Sequence, residues 1–150
     1  MILIAHDIRS LHNVGAFFRT ADAFGIEKIY LTGYTGCPPR KEIAKTALGS
    51  EHRISWEHRV DLDALIVELK EKEMKIVALQ IADRAIRIDG LDIPLNRIAL
   101  ILGSEVEGIS SHILDQCDTI VSIPMTGIKK SLNVSVAAGI ALFAITQKIQ

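Results

Sequence analysis

The fold class can be inferred from the stretch Ile123-Pro124-Met125-Thr126-Gly127-Ile128-Lys129-Lys130-Ser131-Leu132-Asn133-Val134-Ser135-Val136-Ala137. The residues before it, 118–123, are mostly apolar and β-branched, which is typical of a strand buried on both faces of a parallel sheet. Pro124 ends such a strand, Gly127 permits a turn, and either Ser131 or Asn133 can cap the apolar helix that follows. A loop that leads polar residues from a strand end to a helix start is where α/β folds build binding sites.

Strand and helix patterns alternate along the rest of the chain, which predicts an α/β fold with a mainly parallel sheet flanked by helices. Apolar runs predict strands at 2–5, 28–32, 75–81, 97–102 and 119–123, and a further short strand near 55–57. Helical periodicity predicts helices at 14–24, 41–47, 62–73, 111–116 and 134–148. Residues 82–94 are the least regular, and we expect a long loop there.

Capping residues mark the ends of two of these helices. Asn13 is suited to cap the start of the first helix and Gly25 to end it, while Asp61 is suited to cap the third. The third helix then presents an apolar stripe to the core, formed by Leu62, Leu65, Ile66 and Leu69.

Composition indicates a soluble, cytoplasmic, single-domain protein that binds no metal. The 150 residues are 49% hydrophobic, and the longest apolar run, 134–145, is too short to cross a bilayer. The first residues resemble a strand more than a signal peptide. Cys37 and Cys117 are too few for a disulfide framework or a zinc site, and the five histidines show no metal-binding or triad spacing.

The charge of the chain does not by itself favour a nucleic-acid ligand. The net charge is -1, whereas RNA-binding surfaces normally carry excess Lys and Arg. Basic residues do cluster locally. Lys129 and Lys130 stand in the polar loop after the last strand, so we expect them to contact substrate, whereas the segment with Arg40, Lys41 and Lys45 is as well explained by an ordinary mixed surface.

Two further stretches complete a pattern with the first. They are Asn13-Val14-Gly15-Ala16-Phe17-Phe18-Arg19-Thr20-Ala21-Asp22-Ala23-Phe24-Gly25 and Ala99-Leu100-Ile101-Leu102-Gly103-Ser104-Glu105-Val106-Glu107-Gly108-Ile109-Ser110. Together with Lys45-Thr46-Ala47-Leu48-Gly49-Ser50, the three stretches resemble the motifs of the SpoU (TrmH-like) branch of the SPOUT superfamily. Members of that family are S-adenosylmethionine-dependent RNA ribose 2'-O-methyltransferases. The resemblance covers nearly the whole chain.

The resemblance implies a cofactor site and a catalytic group. S-adenosyl-L-methionine would be held largely by main-chain contacts, and the residues around it would be Leu102, Gly103, Ile123, Met125, Ser131 and Leu132. Residues from Leu79 to Ile81 stand at another strand end, and we expect them to join this set. The catalytic positions of the family match Asn13, Arg19, Glu105, Ser131 and Asn133. The resemblance also implies a deep trefoil knot near the C-terminus and a homodimer that brings the first motif of one subunit toward the cofactor region of the other.

The residues themselves constrain this chemistry. The run Gly103–Gly108 lacks the G-x-G-x-x-G spacing of dinucleotide sites, and its two carboxylates would repel a diphosphate. Arg19 can anchor a phosphate or stabilise a developing alkoxide. In the family, an arginine is often assigned as the base that removes the hydroxyl proton. We expect Gly15, one helical turn earlier, to clear space beside Arg19. Asn13 serves as a cap, a site residue or both, and Glu105 is expected to orient Arg19 or the ribose.

The small residues of the last helix, interleaved with large apolar ones, also predict a partner helix and hence a homodimer. The chain begins at the first catalytic-domain strand, so we expect no appended RNA-binding domain, and tRNA is favoured over rRNA as substrate. Two alternatives stay open at this point. One is a noncatalytic RNA-binding dimer of the same fold, and the other is an RNA base methyltransferase, for which a carboxylate near the target ring is expected.

Overall fold

The computed structural model describes residues 1–149, which form alternating strands and helices. In chain order the elements are β1 (Ile2–His6), α1 (Leu11–Ala23), β2 (Lys28–Thr32), α2 (Lys41–Ala47), β3 (Ser55–Arg59), α3 (Leu62–Glu71), β4 (Lys75–Leu79), β5 (Ile86–Arg87), β6 (Ile98–Leu102), α4 (Ser111–Gln116), β7 (Thr119–Ser122) and α5 (Val134–Thr146). Short 3-10 turns at Ser50–His52, Ile88–Gly90, Leu95–Arg97 and Gln147–Ile149 complete the description.

The strands form one seven-stranded sheet in the order β3-β2-β1-β6-β4-β7-β5. Each pairing among them is parallel, which confirms the predicted fold class. Strand β6 lies between β1 and β4 and is buried along its whole length, as its unbroken apolar run Ile98–Leu102 requires. Because the strands are parallel, the loops after β1, β4, β6 and β7 emerge at one edge of the sheet.

Two hydrophobic cores cover the two faces of the sheet. On one face Phe17 and Phe18 of α1 are completely buried together with residues of α2 and α5. On the other face α3 contributes the predicted apolar stripe, with Leu65 and Leu69 buried. Among residues 1–149, no helix combines the length and apolar character that crossing a membrane requires.

Several predicted helix ends are confirmed, and one is wrong. The side chains of Asp61 and Asn133 cap α3 and α5, and Gly25 follows α1 with φ +66°. Helix α1, however, is capped by Ser10, whose Oγ accepts a hydrogen bond from the backbone N–H of Asn13 at 3.2 Å. The helix therefore begins two residues before Asn13, and the side chain of Asn13 is left for another partner.

The expected long loop at 82–94 contains regular structure. Strand β5 pairs with β7 at the edge of the sheet, and the 3-10 turn after it buries Ile88 against the first core. The expectation that Gly15 clears space for Arg19 is also wrong. A Cβ at Gly15 would overlap Oγ1 of Thr46 and the carbonyl oxygen of Ile43, so the glycine lets α1 pack closely on α2.

Candidate functional site

The loops at the carboxyl edge of the sheet enclose a cavity of about 510 Å³. Its lining comes from the ends of β4, β6 and β7, from the loop after β7 and from the first turns of α5. All seven residues expected around the cofactor line it, namely Leu79, Leu102, Gly103, Ile123, Met125, Ser131 and Leu132. Leu102 is almost fully buried and Leu132 is exposed at the rim, so the cavity has an apolar floor that opens toward solvent.

The loop after β6 forms one wall of the cavity by folding back on itself. The backbone N–H of Gly108 donates to the carbonyl of Ser104 at 2.9 Å, and the two residues form an antiparallel bridge. A Cβ at Gly103 would lie 2.5 Å from the carbonyl carbon of Gly108, so only glycine permits this close return. Gln80, after β4, fixes the far end of the loop because its Oε1 accepts from the backbone N–H of Ile109 at 3.3 Å.

Glu105 is the polar centre of this wall. Its Oε2 accepts from the backbone N–H of Arg9 at 2.9 Å, and its Oε1 accepts from the backbone N–H of Ser10 at 3.0 Å. The side-chain amide of Asn13 donates to the same Oε1, also at 3.0 Å. Glu105 thus connects the loop after β6 to the start of α1 and orients Asn13.

The pKa of Glu105 reflects these donors. Partial burial raises the pKa of the carboxyl, but the hydrogen bonds from the backbone of Arg9 and Ser10 and from Asn13 lower it by more, so that it lies below its usual value. A carboxylate that is stabilised in its charged form and already accepts several hydrogen bonds is suited to positioning its neighbours and poorly suited to accepting a proton.

Asn133 brings the third motif to the same place. Its Nδ2 lies 3.5 Å from Oδ1 of Asn13, a long hydrogen bond. Its Oδ1 accepts from the backbone N–H and the hydroxyl of Ser135, at 2.9 and 2.6 Å, and so caps α5. Glu105, Asn13 and Asn133 therefore form one hydrogen-bonded chain across the three motifs, beside the cavity.

The remaining predicted site residues divide between the cavity and the surface outside it. Ser131 lines the cavity, whereas Arg19 lies in a separate depression with Asp22, Leu48 and Arg53. The expected contact between Glu105 and Arg19 is therefore not made within one chain, because the two side chains belong to different surface features. Lys129 and Lys130 are exposed on the loop after β7, next to the rim and not in the lining.

Sequence reasoning missed two contributions to the site. The segment 79–81 was expected near the cofactor, but no sequence signal indicated that the side chain of Gln80 would bind the backbone of Ile109. The backbone N–H groups of Arg9 and Ser10 have no sequence signal, because any residue but proline offers the same donor.

Within residues 1–149, no group of three or more His, Cys, Asp or Glu side chains is arranged to hold a metal ion.

The cavity lies at the carboxyl edge of a parallel α/β sheet, and its lining includes the carboxylate of Glu105 and the side-chain amides of Gln80 and Asn133. This is the arrangement of a small-molecule or cofactor-binding protein. The family model described as the SpoU rRNA Methylase family matches residues 1–143. The chain belongs to this family, and the predicted resemblance is confirmed.

Individual relatives agree with this assignment. A protein of Staphylococcus haemolyticus named for the TrmH family of tRNA/rRNA methyltransferases is 32% identical over 149 residues, which cover 98% of this chain and 58% of the relative. The chain thus spans 58% of the length of that relative.

Two crystal structures show the same fold. An rRNA methyltransferase from Sinorhizobium meliloti with bound AdoMet superposes with a TM-score of 0.92 at 26% identity, over 99% of this chain and 56% of that one. An RNA 2'-O ribose methyltransferase superposes with a TM-score of 0.88 at 26% identity, over 100% of this chain and 57% of that one.

Proposed function

We propose that this chain transfers a methyl group from S-adenosylmethionine to a ribose 2'-hydroxyl of RNA. The observation that carries the proposal is the hydrogen-bonded chain Glu105, Asn13 and Asn133, which joins the three family motifs at the mouth of the 510 Å³ cavity. The two similar crystal structures, one with bound AdoMet and one named for ribose 2'-O transfer, support the cofactor and the reaction.

The cavity fits S-adenosylmethionine by its chemistry. The floor formed by Leu79, Leu102 and Ile123 suits an adenine ring, and the carboxylates Glu105 and Glu107 suit a cationic ligand better than a diphosphate. The cofactor, when bound, supplies an electrophilic methyl group on a sulfonium. Methyl transfer would form a bond from the 2'-oxygen to that methyl as the methyl–sulfur bond breaks, with S-adenosylhomocysteine leaving and the hydroxyl proton passing to solvent. The chain then has mainly to align a weak oxygen nucleophile with the methyl.

The residues of the chain divide this task. Asn13, held by Glu105, and Asn133, held by the start of α5, present amide groups for positioning the ribose, and Ser131 offers a hydroxyl at the cavity. Arg19 anchors the target phosphate or stabilises the developing alkoxide, roles that suit a side chain that stays protonated. Lys129 and Lys130 contact the RNA backbone beside the cavity.

Arg19 lies outside the cavity of its own chain, so we propose that it reaches the cavity of a second copy. The exposed apolar stripe of α5 supports such a dimer: Val136, Ile140 and Phe143 follow one face of the helix and are 50%, 39% and 55% exposed. Helix α1 packs directly on α5, and the rings of Phe24 and Phe143 lie 6.1 Å apart. A partner that covers the stripe therefore meets the helix that carries Arg19.

The dimer is tested by light scattering after gel filtration. We expect a dimer for the unaltered chain and a monomer for Phe143→Glu. Val67→Glu serves as the matched control, since Val67 is equally exposed but lies on α3, against the other core. A monomeric unaltered chain would contradict the dimer.

A trefoil knot near the C-terminus is also part of the proposal. It is supported by the strand order, which places β6 between β1 and β4, and by the convergence of the loops after β6 and β7 on one cavity. A crystal structure tests the knot. When the two ends of the backbone of residues 75–149 are joined outside the molecule, the closed curve should be a trefoil knot. An unknotted curve would contradict this part of the proposal.

The reaction is tested by incubating the purified chain with methyl-labelled S-adenosylmethionine and bulk tRNA or, separately, rRNA, followed by alkaline digestion. A 2'-O-methyl group blocks the attack of the 2'-oxygen on the neighbouring phosphate, which is how alkali cleaves RNA. Label is therefore expected in alkali-resistant dinucleotides, with tRNA the better substrate. Label in mononucleotides would indicate base methylation, and cofactor binding without transfer would indicate a noncatalytic binding protein. Either result would contradict the proposal.

A further inference from the structure

A second cavity, of about 300 Å³, lies between the loop from β2 to α2 and the 3-10 turn that follows α2. This volume is at the lower end of the range of small-molecule sites. Its lining is half apolar and half polar, from Pro38, Pro39, Ile43, Ala44, Arg40, Lys41, Glu51 and His52.

Glu51 is the unusual member of this lining. Its side chain is only 6% exposed, and within residues 1–149 its Oε2 is buried and has no hydrogen-bond donor. Its Oε1 lies 3.6 Å from Nε2 of His52, beyond hydrogen-bonding distance. A buried carboxylate oxygen without a donor costs folding free energy. A ligand that donates a hydrogen bond to this oxygen would offset that cost.

The position of the cavity relates it to the site described above. The loop from β2 leaves the same edge of the sheet as the loops that line the first cavity, since all strands are parallel. Gly36 of this loop packs closely on Leu11 at the start of α1. The neighbouring Ser10 donates its backbone N–H to Glu105, so the loop that borders the second cavity also contacts the start of α1, next to Asn13.

The chemistry of the lining selects a ligand. An acceptor carboxylate needs N–H donors, the rings of Pro38 and Pro39 offer flat apolar surface, and Arg40 and Lys41, both exposed at the rim, offer positive charge. A nucleotide meets all three demands. Among the standard bases, guanine alone presents two adjacent N–H donors on its Watson–Crick edge, and unstacked RNA bases are commonly recognised on that edge.

We propose that this cavity binds an unpaired guanine nucleotide of the RNA substrate, with Glu51 accepting from the base and Arg40 and Lys41 contacting its phosphate. The inference rests on the proposed function for the identity of the substrate as RNA. It makes Glu51 a specificity-determining residue outside the three family motifs.

The test uses free nucleotides and the full chain. Titrations of GMP, AMP, CMP, UMP and inorganic phosphate are followed by the NMR signals of Ile43 and Ala44 in this cavity and of Ile123 in the first. We expect GMP to shift the signals of Ile43 and Ala44 and to bind at least about tenfold more tightly than the other three nucleotides. Equal affinities, binding by phosphate alone, or no binding would overturn the proposal.

Variants separate recognition from folding. Glu51→Gln is expected to remove the preference for GMP, whereas Glu71→Gln, on the exposed face of α3, should leave it unchanged. Arg40→Ala and Lys41→Ala, both at exposed positions, should weaken GMP binding several-fold and leave guanosine binding unaltered. If Glu51→Gln does not fold, these two variants still decide the test, because the proposal requires Arg40 and Lys41 to contact the phosphate. Unchanged GMP binding by both variants would overturn it.

The outcome is distinguishable from that of the proposed function. Transfer of methyl groups to RNA by a chain that does not bind GMP at Ile43 and Ala44 would overturn this inference alone. Selective GMP binding without transfer would overturn the proposed reaction and leave the guanine cavity supported.

Discussion

Asn133 has two tasks that can be separated because they use different atoms of one amide. Its Oδ1 caps α5 through Ser135, and its Nδ2 reaches Asn13. A side chain that is needed only as a cap can be exchanged for another cap, whereas a side chain that also places Asn13 cannot.

Asn133→Ser and Asn133→Ala should therefore differ in stability and agree in activity. Serine keeps an acceptor for the backbone of α5, so its free energy of unfolding should stay close to that of the unaltered chain, while alanine should lose about 1 kcal/mol. Both should lower methyl transfer about a hundredfold or more, to near the background of the assay, because Asn13 is no longer held from that side. Urea denaturation and single-turnover transfer measure the two effects; full activity of Asn133→Ser would contradict a positioning role.

Glu105→Gln is predicted to destabilise the chain in a pH-dependent way. Because the pKa of Glu105 in the folded chain lies below the ordinary 4.5, its charged form adds stability above that pH, and this stability is lost as the pH falls through the folded value. Glutamine should therefore cost about 1 kcal/mol at pH 7, a modest figure because the carboxylate is partly exposed, and less at pH 3. Denaturation at both pH values tests this, with Glu107→Gln as control. A cost that does not change with pH would contradict the assigned hydrogen bonds.

At the scale of elements, the contact between α1 and α2 depends on the missing side chain at Gly15. Alanine is the better helix former by up to about 1 kcal/mol, so an open helix surface would gain stability from Gly15→Ala. Here the new methyl group would overlap Thr46 and the backbone of Ile43, and the chain should instead lose about 2 kcal/mol.

Thermal unfolding of Gly15→Ala is the measurement, and Gly90→Ala is its control, since a Cβ at Gly90 has open space around it. The control should change the midpoint little. A stabilised Gly15→Ala would mean that α1 and α2 do not pack as closely as described.

How far the elements were predictable follows from the range of the forces that form them. Strand β6 and the stripe of α3 were predictable because the periodicity of their own residues reports their burial. Ser10 and Asn13 are both capping residues, and the choice between them depends on Glu105, more than ninety residues away, which sequence periodicity does not report. Strand β5 has two residues and exists only through its pairing with β7.

The site was predictable to a similar degree. Parallel strands deliver their following loops to one edge, so the loops that line the first cavity could be expected to converge once the strands were identified. The placement of Arg19 could not be derived in this way, because in the proposed dimer Arg19 acts at the site of the other subunit, and the order of strands in one chain does not report contacts between subunits. The state of Glu51 could not be predicted from the sequence either, since it is defined by the absence of a donor to its Oε2 among residues 1–149.

At the scale of the whole molecule, the separation of Arg19 from the cavity predicts that neither subunit is active alone. Each active site would combine the cavity, Asn13 and Asn133 of one protomer with Arg19 of its partner. In a two-fold symmetric dimer both sites are then lost in Arg19→Ala and in Asn133→Ser.

Mixing these two inactive variants should restore activity. In a mixed dimer, one site carries both substitutions, while the other combines the intact cavity of the Arg19→Ala chain with the intact Arg19 of the Asn133→Ser chain. Random reassociation of equal amounts makes half of the dimers mixed, so activity should recover to about a quarter of that of the unaltered chain. The measurement is methyl transfer to RNA after the two variants are unfolded, mixed and refolded together, with each variant refolded alone as the control. If Arg19 acted within its own chain, every site in the mixture would carry one substitution, and the mixture would stay as inactive as its parts.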